Sequence, residues 1–441
     1  MSETLPTIAS TLADLLGGRR TATDVTEQVL QRIRDTEPVH HAYVHVDADG
    51  ARAQAHDVDE RRRRRLPAGP LDGIPIGVKD LIQTSGMPTT AGAPYALDDG
   101  SGPDRAGSVR RLRMAGAVLV GKHETNRFGW GICPPPTRNA LDPAWFPGGS
   151  TAGGGVSVAL GSSLAALGTD AGGSLRIPAA LNGVVGFKAG RGAIPTTGVI
   201  PGSTSVSDLG VITRTCDDAR ILLDVLSATG TRDGAESSGP RPPRRVGVIR
   251  RYWSGSEEDV ERVATSSLAE LERAGAEIVE LEIAELDLVS PAFLTIIGHE
   301  TWIAHEGLYR TDPSLYPPRG VQRLEAGAAI TAAELAEAHE LREVVRGALE
   351  RQFDEKGVDF FAGPTAPVLT KPLAELDLDR DLAPFGAFTE VANLLGLPAV
   401  SVPVGHDPSG RSVGFQLIGR AGSDRLLLRT GQVLQDARSA F

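Results

Sequence analysis

Residues 168–178 read Gly-Thr-Asp-Ala-Gly-Gly-Ser-Leu-Arg-Ile-Pro, and they lie in the part of the chain that determines its fold. Between about Leu71 and Gly210, short apolar runs alternate with clusters of glycine, and two of these runs are Ile74–Val78 and Ala117–Gly121. Such runs are typical of buried strands. Their alternation with glycine-rich segments predicts an α/β fold in which loops follow the ends of the strands.

The remaining sequence predicts one domain rather than several. Further apolar runs predict strands at 246–249, 358–361, 399–404 and 413–418. The stretch 231–245 is rich in Gly, Ser, Pro and Arg, which predicts a surface connection, and no internal repeat is visible. We expect a single α/β domain over residues 1–441, comprising N-terminal helices over about 1–65, a core over about 66–230 and a helical insertion over about 285–355.

Composition excludes several classes of protein. A chain of 441 residues with a formal net charge of -11 lacks the basic surface that is typical of nucleic-acid binding. No apolar run approaches the roughly 18 residues that span a membrane, and no secretory signal is evident. The two cysteines, Cys133 and Cys216, have no paired spacing for a disulfide framework or a zinc site. We expect a cytoplasmic protein that binds neither nucleic acid nor membrane.

Three familiar motifs lack the context that their function needs. Gly410–Gly414 fits G-x-S-x-G, but a turn precedes Ser412 and a strand follows it, so a hairpin is expected rather than a nucleophile elbow. His299 and His305 are six residues apart, which places them about 120° apart around a helix instead of on the one face that a zinc pair needs. The glycines of Gly148–Gly155 are not followed by the Lys-Ser or Lys-Thr of a phosphate-binding loop.

Lys79 stands out because the sequence contains only five lysines and this one ends an apolar strand. Burying an ammonium group is costly unless the group is paired or neutral. Two interpretations are open. The lysine either pairs with Asp80 or reaches solvent, or it has a lowered pKa and serves as a base near neutral pH.

Two serines directly follow paired glycines, Ser150 in Pro147–Gly155 and Ser174 in Gly168–Pro178. Glycines at such positions allow neighbouring N–H groups to converge on one point, as in an oxyanion hole. Together with Lys79, the two serines would supply a nucleophile, a relay and a base without any histidine. The alternative is that both segments are tight structural turns.

These motifs resemble those of the amidase signature family. The resemblance covers the chain in family order, weakens between about 230 and 350, and is carried by the runs Gly73–Asp80, Gly148–Gly154, Gly168–Ala180, Gly183–Lys188, Asn393–Ala399 and Gly414–Gly419. It implies a single α/β/α domain with a large central mixed sheet covered by helices. It does not extend closely to the tRNA-dependent amidotransferase subunits of the family.

The resemblance also implies a Ser-Ser-Lys triad that works through an acyl-enzyme. Ser174 occupies the position of the nucleophile, Ser150 that of the bridging residue after a cis peptide, and Lys79 that of the base. The implied oxyanion hole consists of the backbone N–H groups of Ala171, Gly172, Gly173 and Ser174. The implied supporting residues are Thr151, Asp170 and Arg176. The resemblance implies neither a metal nor another cofactor.

The sequence departs from the family pattern near the expected substrate pocket. Thr151 replaces a common second serine, and His123–Phe128 replaces the usual Thr-Asn-x-x-Glu-Phe. The following segment is also unusual, so we expect Phe128, Trp130 and Cys133 to contact the substrate. Further candidates in the helical insertion are Trp302, Tyr309, Tyr316 and Arg319.

We therefore expect an amidase that hydrolyses a small carboxamide or a related C–N bond, with the small-molecule amide as its partner. Two alternatives are open. The chain could be an ammonia-delivering amidotransferase subunit, or a catalytically weakened binding protein on the same fold. A homodimer is one assembly that we consider.

Overall fold

The structure is a computed structural model, and it describes residues 5–131, 133–200, 202–227 and 245–439. Within these residues, eleven strands form one mixed sheet in the order β1-β3-β2-β4-β6-β5-β10-β11-β9-β7-β8. The strands are β1 (Tyr43–Val46), β2 (Pro75–Lys79), β3 (Val118–His123), β4 (Ala165–Asp170), β5 (Val185–Lys188), β6 (Asp208–Thr213), β7 (Arg245–Ile249), β8 (Glu277–Leu281), β9 (Phe360–Pro364), β10 (Ala399–His406) and β11 (Ser412–Gly419). The predicted α/β class is confirmed.

Helices cover the sheet. Those of the described residues are α1 (Ile8–Leu16), α2 (Ala22–His40), α3 (Ala48–Arg63), α4 (Gly107–Met114), α5 (Ala152–Leu160), α6 (Arg176–Leu181), α7 (Cys216–Leu226), α8 (Arg250–Ser254), α9 (Glu258–Arg273), α10 (Val289–Thr311), α11 (Pro318–Ala329), α12 (Ala332–Glu355), α13 (Leu378–Gly386), α14 (Glu390–Leu395) and α15 (Asp424–Ser439). The predicted helical insertion over about 285–355 corresponds to α10, α11 and α12. The predicted connection 231–245 lies, except for Arg245, outside the described residues.

Helix α2 differs from the sequence prediction at both ends. The sequence predicts a helix that Thr23 caps and Pro38 ends, with one apolar face. In the structure, the Thr21 side chain instead accepts the Asp24 N–H as the cap, and the helix continues to His40. Its inward face is as predicted, because Val25, Val29, Leu30 and Ile33 are all buried. A preceding threonine in the same sequence context therefore takes the capping position.

Parallel pairing of β2 with β3 and β4 brings three functional segments to one edge of the sheet. Parallel strands end at the same edge, so Lys79 and Asp170, the last residues of β2 and β4, lie on the same side of it. The loop after β4 carries Gly172–Ser174, and α5 begins just after Ser150 and packs on β4. The topology thus assembles segments that are far apart in sequence.

No helix within the described ranges combines the length and the apolar character that crossing a membrane requires.

Candidate active site

Lys79 is completely buried, and its amine contacts hydroxyl groups instead of a carboxylate. Its Nζ is hydrogen-bonded to Ser150 Oγ at 2.7 Å and to Thr169 Oγ1 at 2.8 Å. The neighbouring Asp80 instead forms an ion pair with Lys122 at 3.0 Å. The interpretation in which Lys79 pairs with Asp80 or reaches solvent is therefore wrong.

Burial lowers the pKa of Lys79 from 10.5 to about 7, and the negative charge of Asp170 opposes this effect. Removing an ammonium group from water disfavours its charged form. A lysine with a pKa near 7 is neutral in a large fraction of molecules at neutral pH and can accept a proton from a hydroxyl group.

Ser150 is buried, and neighbouring residues bind its backbone carbonyl oxygen. The peptide bond between Gly149 and Ser150 is cis, as the resemblance implies. The carbonyl oxygen of Ser150 accepts hydrogen bonds from Thr125 Oγ1 at 2.9 Å and from the backbone N–H of Asn126 at 3.3 Å. The altered segment His123–Phe128 thus still positions the bridging serine.

Ser174 lies beside the Ser150 segment. The Thr151 N–H donates to the Ser174 carbonyl oxygen at 3.1 Å, which ties the two serine-containing segments together. Gly173, just before Ser174, has φ = +110°, and a Cβ there would meet Thr389 Oγ1 at 2.4 Å. A residue with a side chain would therefore displace the turn that presents Ser174.

Asp170 and Arg176 hold this turn in place through an ion pair and hydrogen bonds to its backbone. Arg176 Nε and Nη2 contact the two carboxylate oxygens of Asp170 at 3.0 and 2.9 Å. The same carboxylate accepts the Gly173 N–H at 2.7 Å and the Leu175 N–H at 3.1 Å. Burial alone would raise the pKa of Asp170, but the Arg176 guanidinium holds it well below its usual value. The carboxylate is therefore a charged anchor for the turn.

Two residues that are distant in sequence, Gln416 and Asn393, also bind Arg176. Arg176 Nη1 donates to Gln416 Oε1 at 2.6 Å, and Arg176 Nη2 donates to Asn393 Oδ1 at 2.7 Å. The Asn393 amide returns a hydrogen bond to the Asp170 carbonyl oxygen at 2.8 Å. Asp170 and Arg176, two of the three implied supporting residues, thus belong to one buried hydrogen-bond network.

The structure reduces the implied oxyanion hole from four donors to three. The N–H of Gly173 is already bound to the Asp170 carboxylate, so it is not free for a substrate oxygen. Among the described residues, the N–H groups of Ala171, Gly172 and Ser174 have no acceptor. These three remain available.

The implied supporting residue Thr151 contacts the backbone of β4. Its hydroxyl donates to the Thr169 carbonyl oxygen at 3.2 Å, whereas the Thr169 hydroxyl contacts Lys79. Thr169 received no role from the sequence. A useful signal was available, because Thr169 lies in the same short run as Ser174.

The predicted substrate-contacting segment lies next to Ser150 but is largely packed. A Cβ on Gly129 would lie 3.3 Å from Ser150 Oγ, which places this segment beside Ser150. Phe128 is only 3% exposed, and its ring lies 4.9 Å from that of Tyr316 and 5.3 Å from that of Trp130. Cys133 contributes its carbonyl oxygen to Asn126 Nδ2 at 2.9 Å. The rings of Phe128 and Tyr316 stack on each other beside this segment.

Two of the substrate-contact candidates from the helical insertion, Trp302 and Tyr309, pack beside the same segment. They contact the cluster that contains Phe128 and Tyr316. In the same cluster, His305 Nδ1 is hydrogen-bonded to the Tyr316 hydroxyl at 2.9 Å. Arg319 instead forms an ion pair with Asp379 at the start of α13. The insertion therefore covers the Gly129 segment.

Ser412, from the set-aside G-x-S-x-G match, and Glu300, which follows His299, make structural contacts. Ser412 begins β11 directly after the turn that joins it to β10, as predicted. Glu300 binds the backbone N–H groups of Thr204 and Ser205, both at 2.9 Å. Within the described parts of the chain, no group of three or more His, Cys, Asp or Glu side chains could hold a metal ion.

Comparisons with known proteins match this architecture. A family model described as "Amidase" matches residues 24–428. A relative named as one of the subunits of glutamyl-tRNA(Gln) amidotransferase, from Chloroflexus aggregans, is 33% identical over 97% of this chain and 96% of its own. A relative named amidase, from Pseudomonas putida, is 33% identical over 98% of this chain and 96% of its own.

A solved structure described as an amidase superposes with a TM-score of 0.89 at 33% identity, covering 98% of this chain and 99% of that one. The shared fold and the match along almost the whole chain confirm the family expected from the motifs. The chain belongs to the amidase family, whose members carry the amidase signature.

Proposed function

We propose that the protein hydrolyses a small carboxamide, or a related C–N bond, through an acyl-enzyme on Ser174. The observation that carries the proposal is the 2.7 Å contact between the buried Lys79 amine and Ser150 Oγ. No carboxylate among the described residues forms an ion pair with that amine. It therefore has hydroxyl partners and a pKa of about 7, as a general base needs.

The proposed acylation step moves two protons along the triad. Ser150 gives its hydroxyl proton to neutral Lys79 and takes the proton of Ser174, whose Oγ attacks the substrate carbonyl carbon. The negative charge that develops on the carbonyl oxygen is stabilised by the N–H groups of Ala171, Gly172 and Ser174.

The tetrahedral intermediate then breaks its C–N bond. The leaving nitrogen takes a proton from Ser150, and Lys79 returns a proton to Ser150. Water attacks the Ser174 ester by the same proton path in reverse, which releases the carboxylic acid and restores the serine. Asp170 takes no proton, because its role is to hold the turn through Arg176 and the Gly173 N–H.

The test combines a fluorophosphonate probe with a panel of simple amides. We expect the wild-type protein to be labelled at Ser174 and to release ammonia or an amine from at least one amide. Ser174→Ala should lose both labelling and turnover while keeping its circular dichroism spectrum. Labelling that persists in Ser174→Ala would refute the assignment of the nucleophile.

The names of several relatives support a second candidate, an amidotransferase subunit that delivers ammonia to a partner. This candidate predicts that the protein purifies in a stable heteromeric complex and releases ammonia from glutamine only within that complex. Turnover of simple amides by the isolated chain would favour the amidase. A weakened binding protein predicts ligand binding without release of ammonia or amine. The contacts of Thr125 and Asn126 with Ser150 argue against it, because the altered segment still positions the bridging serine.

A further inference from the structure

Two segments that are distant in sequence approach the loop that follows β4 and carries Gly172. A Cβ placed on Gly172 would lie 3.2 Å from Phe293 Cζ, so α10 approaches the loop closely. A Cβ placed on Gly386 would lie 3.6 Å from the Gly172 carbonyl oxygen and 3.4 Å from Glu390 Oε1. The Glu390 carboxylate therefore lies close to the backbone of this loop.

The position of Glu390 is fixed relative to the catalytic loop. Thr389, the preceding residue, donates its hydroxyl to the Gly172 carbonyl oxygen at 2.7 Å. Glu390 Oε2 accepts a hydrogen bond from Ser290 Oγ at 2.6 Å. Among the described residues, Glu390 Oε1 accepts no hydrogen bond, and no Lys, Arg or His forms an ion pair with the carboxylate.

Glu390 thus differs from the other acidic group near Ser174. Asp170 is neutralised by Arg176, whereas burial raises the pKa of Glu390 and only the Ser290 hydroxyl opposes this effect. Glu390 is half-buried, and a carboxylate that loses part of its water without gaining a counter-charge is destabilised. An unpaired carboxylate beside an active site is typical of a group that binds a ligand.

A first-turn position in α14 does not explain this burial. A negative charge at a helix N-terminus interacts favourably with the helix dipole. That interaction is available to an exposed side chain and does not require one oxygen to lie beside Gly386 and the oxyanion loop.

We infer that Glu390 binds a cationic group of the substrate, so that the preferred amide carries a protonated amine a short distance from its scissile carbonyl. This inference rests on the proposed function, because it concerns the same site. The free oxygen of Glu390 would accept a charge-assisted hydrogen bond from the ammonium group. The net charge of -11 favours the approach of a cation to the protein.

Two pairs of amides test the inference. The first pair is γ-aminobutyramide and pentanamide, in which a methyl group replaces the ammonium group on the acyl side. The second pair is N-(2-aminoethyl)acetamide and N-propylacetamide, which makes the same change on the leaving side. We expect the wild-type protein to prefer the ammonium member of at least one pair in kcat/KM.

Glu390→Gln should lower that preference by about tenfold or more, the scale of a charge-assisted hydrogen bond. Glu390→Asp, which keeps the charge, serves as a second variant, and thermal unfolding checks that both fold. Glu337→Gln is the matched control, because it removes one negative charge at an exposed site on α12 and should leave the preference as in wild type.

The outcomes separate this inference from the proposed function. If the neutral amides are hydrolysed without any preference, or if Glu390→Gln keeps the preference, the inference fails and the proposed function stands. The same holds if Ser174 is labelled but neither ammonium amide is turned over. If Ser174 is not labelled and no amide is turned over, the proposed function fails, and the inference fails with it.

Discussion

Two lysines end strands of the same sheet, and their surroundings give them different chemistry. Lys79 ends β2 and Lys188 ends β5, and both are 0% exposed. Lys188 Nζ forms an ion pair with Asp208 at 2.9 Å. Among the described residues, the side-chain groups hydrogen-bonded to Lys79 Nζ are two hydroxyl groups, Ser150 Oγ and Thr169 Oγ1.

This contrast shows which buried lysine can serve as a base. Burial lowers the pKa of both amines, but the charge of Asp208 opposes the effect at Lys188 directly. A paired ammonium group stabilises the fold and keeps its proton, whereas an unpaired one costs stability and loses its proton near neutral pH. We therefore predict opposite results for substitutions at the two positions.

The strongest effect should be the loss of activity in Lys79→Arg. Arginine keeps the positive charge but cannot become neutral, so it cannot accept the Ser150 proton. We expect kcat/KM to fall by about 10²- to 10⁴-fold, measured as release of ammonia or amine. Lys356→Arg, at an exposed position, is the control and should behave as wild type. Substantial activity in Lys79→Arg would mean that the lysine is not the base.

Lys188→Met should chiefly affect stability. It leaves Asp208 with only Arg191, whose Nε lies 3.2 Å from Oδ1. Removal of one partner of a buried ion pair costs about 3–5 kcal/mol, and the remaining Arg191 contact favours the lower end of that range. Urea denaturation measures the change. Lys371→Met removes a partly exposed ion pair with Asp381 and should cost less, about 1 kcal/mol or below.

Lys79→Met should instead raise the free energy of unfolding near pH 7, by up to about 4 kcal/mol. The folded-state pKa of Lys79 is about 7 and the unfolded value is 10.5, so the unfolded state binds more protons between these values. The stability of wild type therefore rises with pH across that window, and the advantage of Lys79→Met should shrink between pH 7 and pH 10. A variant that is less stable than wild type at pH 7 would contradict the unpaired state of Lys79.

The weakest effect concerns Thr169, which we regard as a positioning residue. Thr169→Val removes one of the two hydroxyl groups that hold the Lys79 amine, and kcat should fall by about tenfold with little change in KM. Thr169→Ser keeps a hydroxyl group and should restore most of the rate. Equal losses in both variants would indicate that the hydroxyl is not what matters at this position.

The sequence predicted the sheet well where strands are continuous apolar runs. Strands β2, β3, β10 and β11 appear close to their predicted bounds, because buried strands exclude polar residues over most of their length. Strand β1 was missed. Its Tyr43–Val46 segment is short and lies at the edge of the sheet, where exposed and buried residues mix.

The residues of the proposed triad could be singled out from the sequence because each lies in a short motif with its own glycines. The resemblance also named Asp170 and Arg176 as supporting residues, but the partners of Arg176 could not be predicted, because those contacts join residues that are far apart in sequence. Arg176 meets Gln416 and Asn393 only after the sheet has formed, and Thr169 is identified as a partner of Lys79 only by its side-chain direction. Phe128 was expected to contact substrate, and its packing against Tyr316 depends on where the helical insertion lies.

The pH dependence of Ser174 labelling by a fluorophosphonate is the sharpest test of the proposed triad, since it needs no knowledge of the substrate. We predict an adduct that peptide mapping places on Ser174. Its rate of formation should rise with pH through a midpoint near 7, as Lys79 loses its proton, and should be greatly reduced in Lys79→Arg. An adduct on another residue, or a rate that does not change across a pH range of about 5.5 to 9, would contradict the assignment of Ser174 and Lys79.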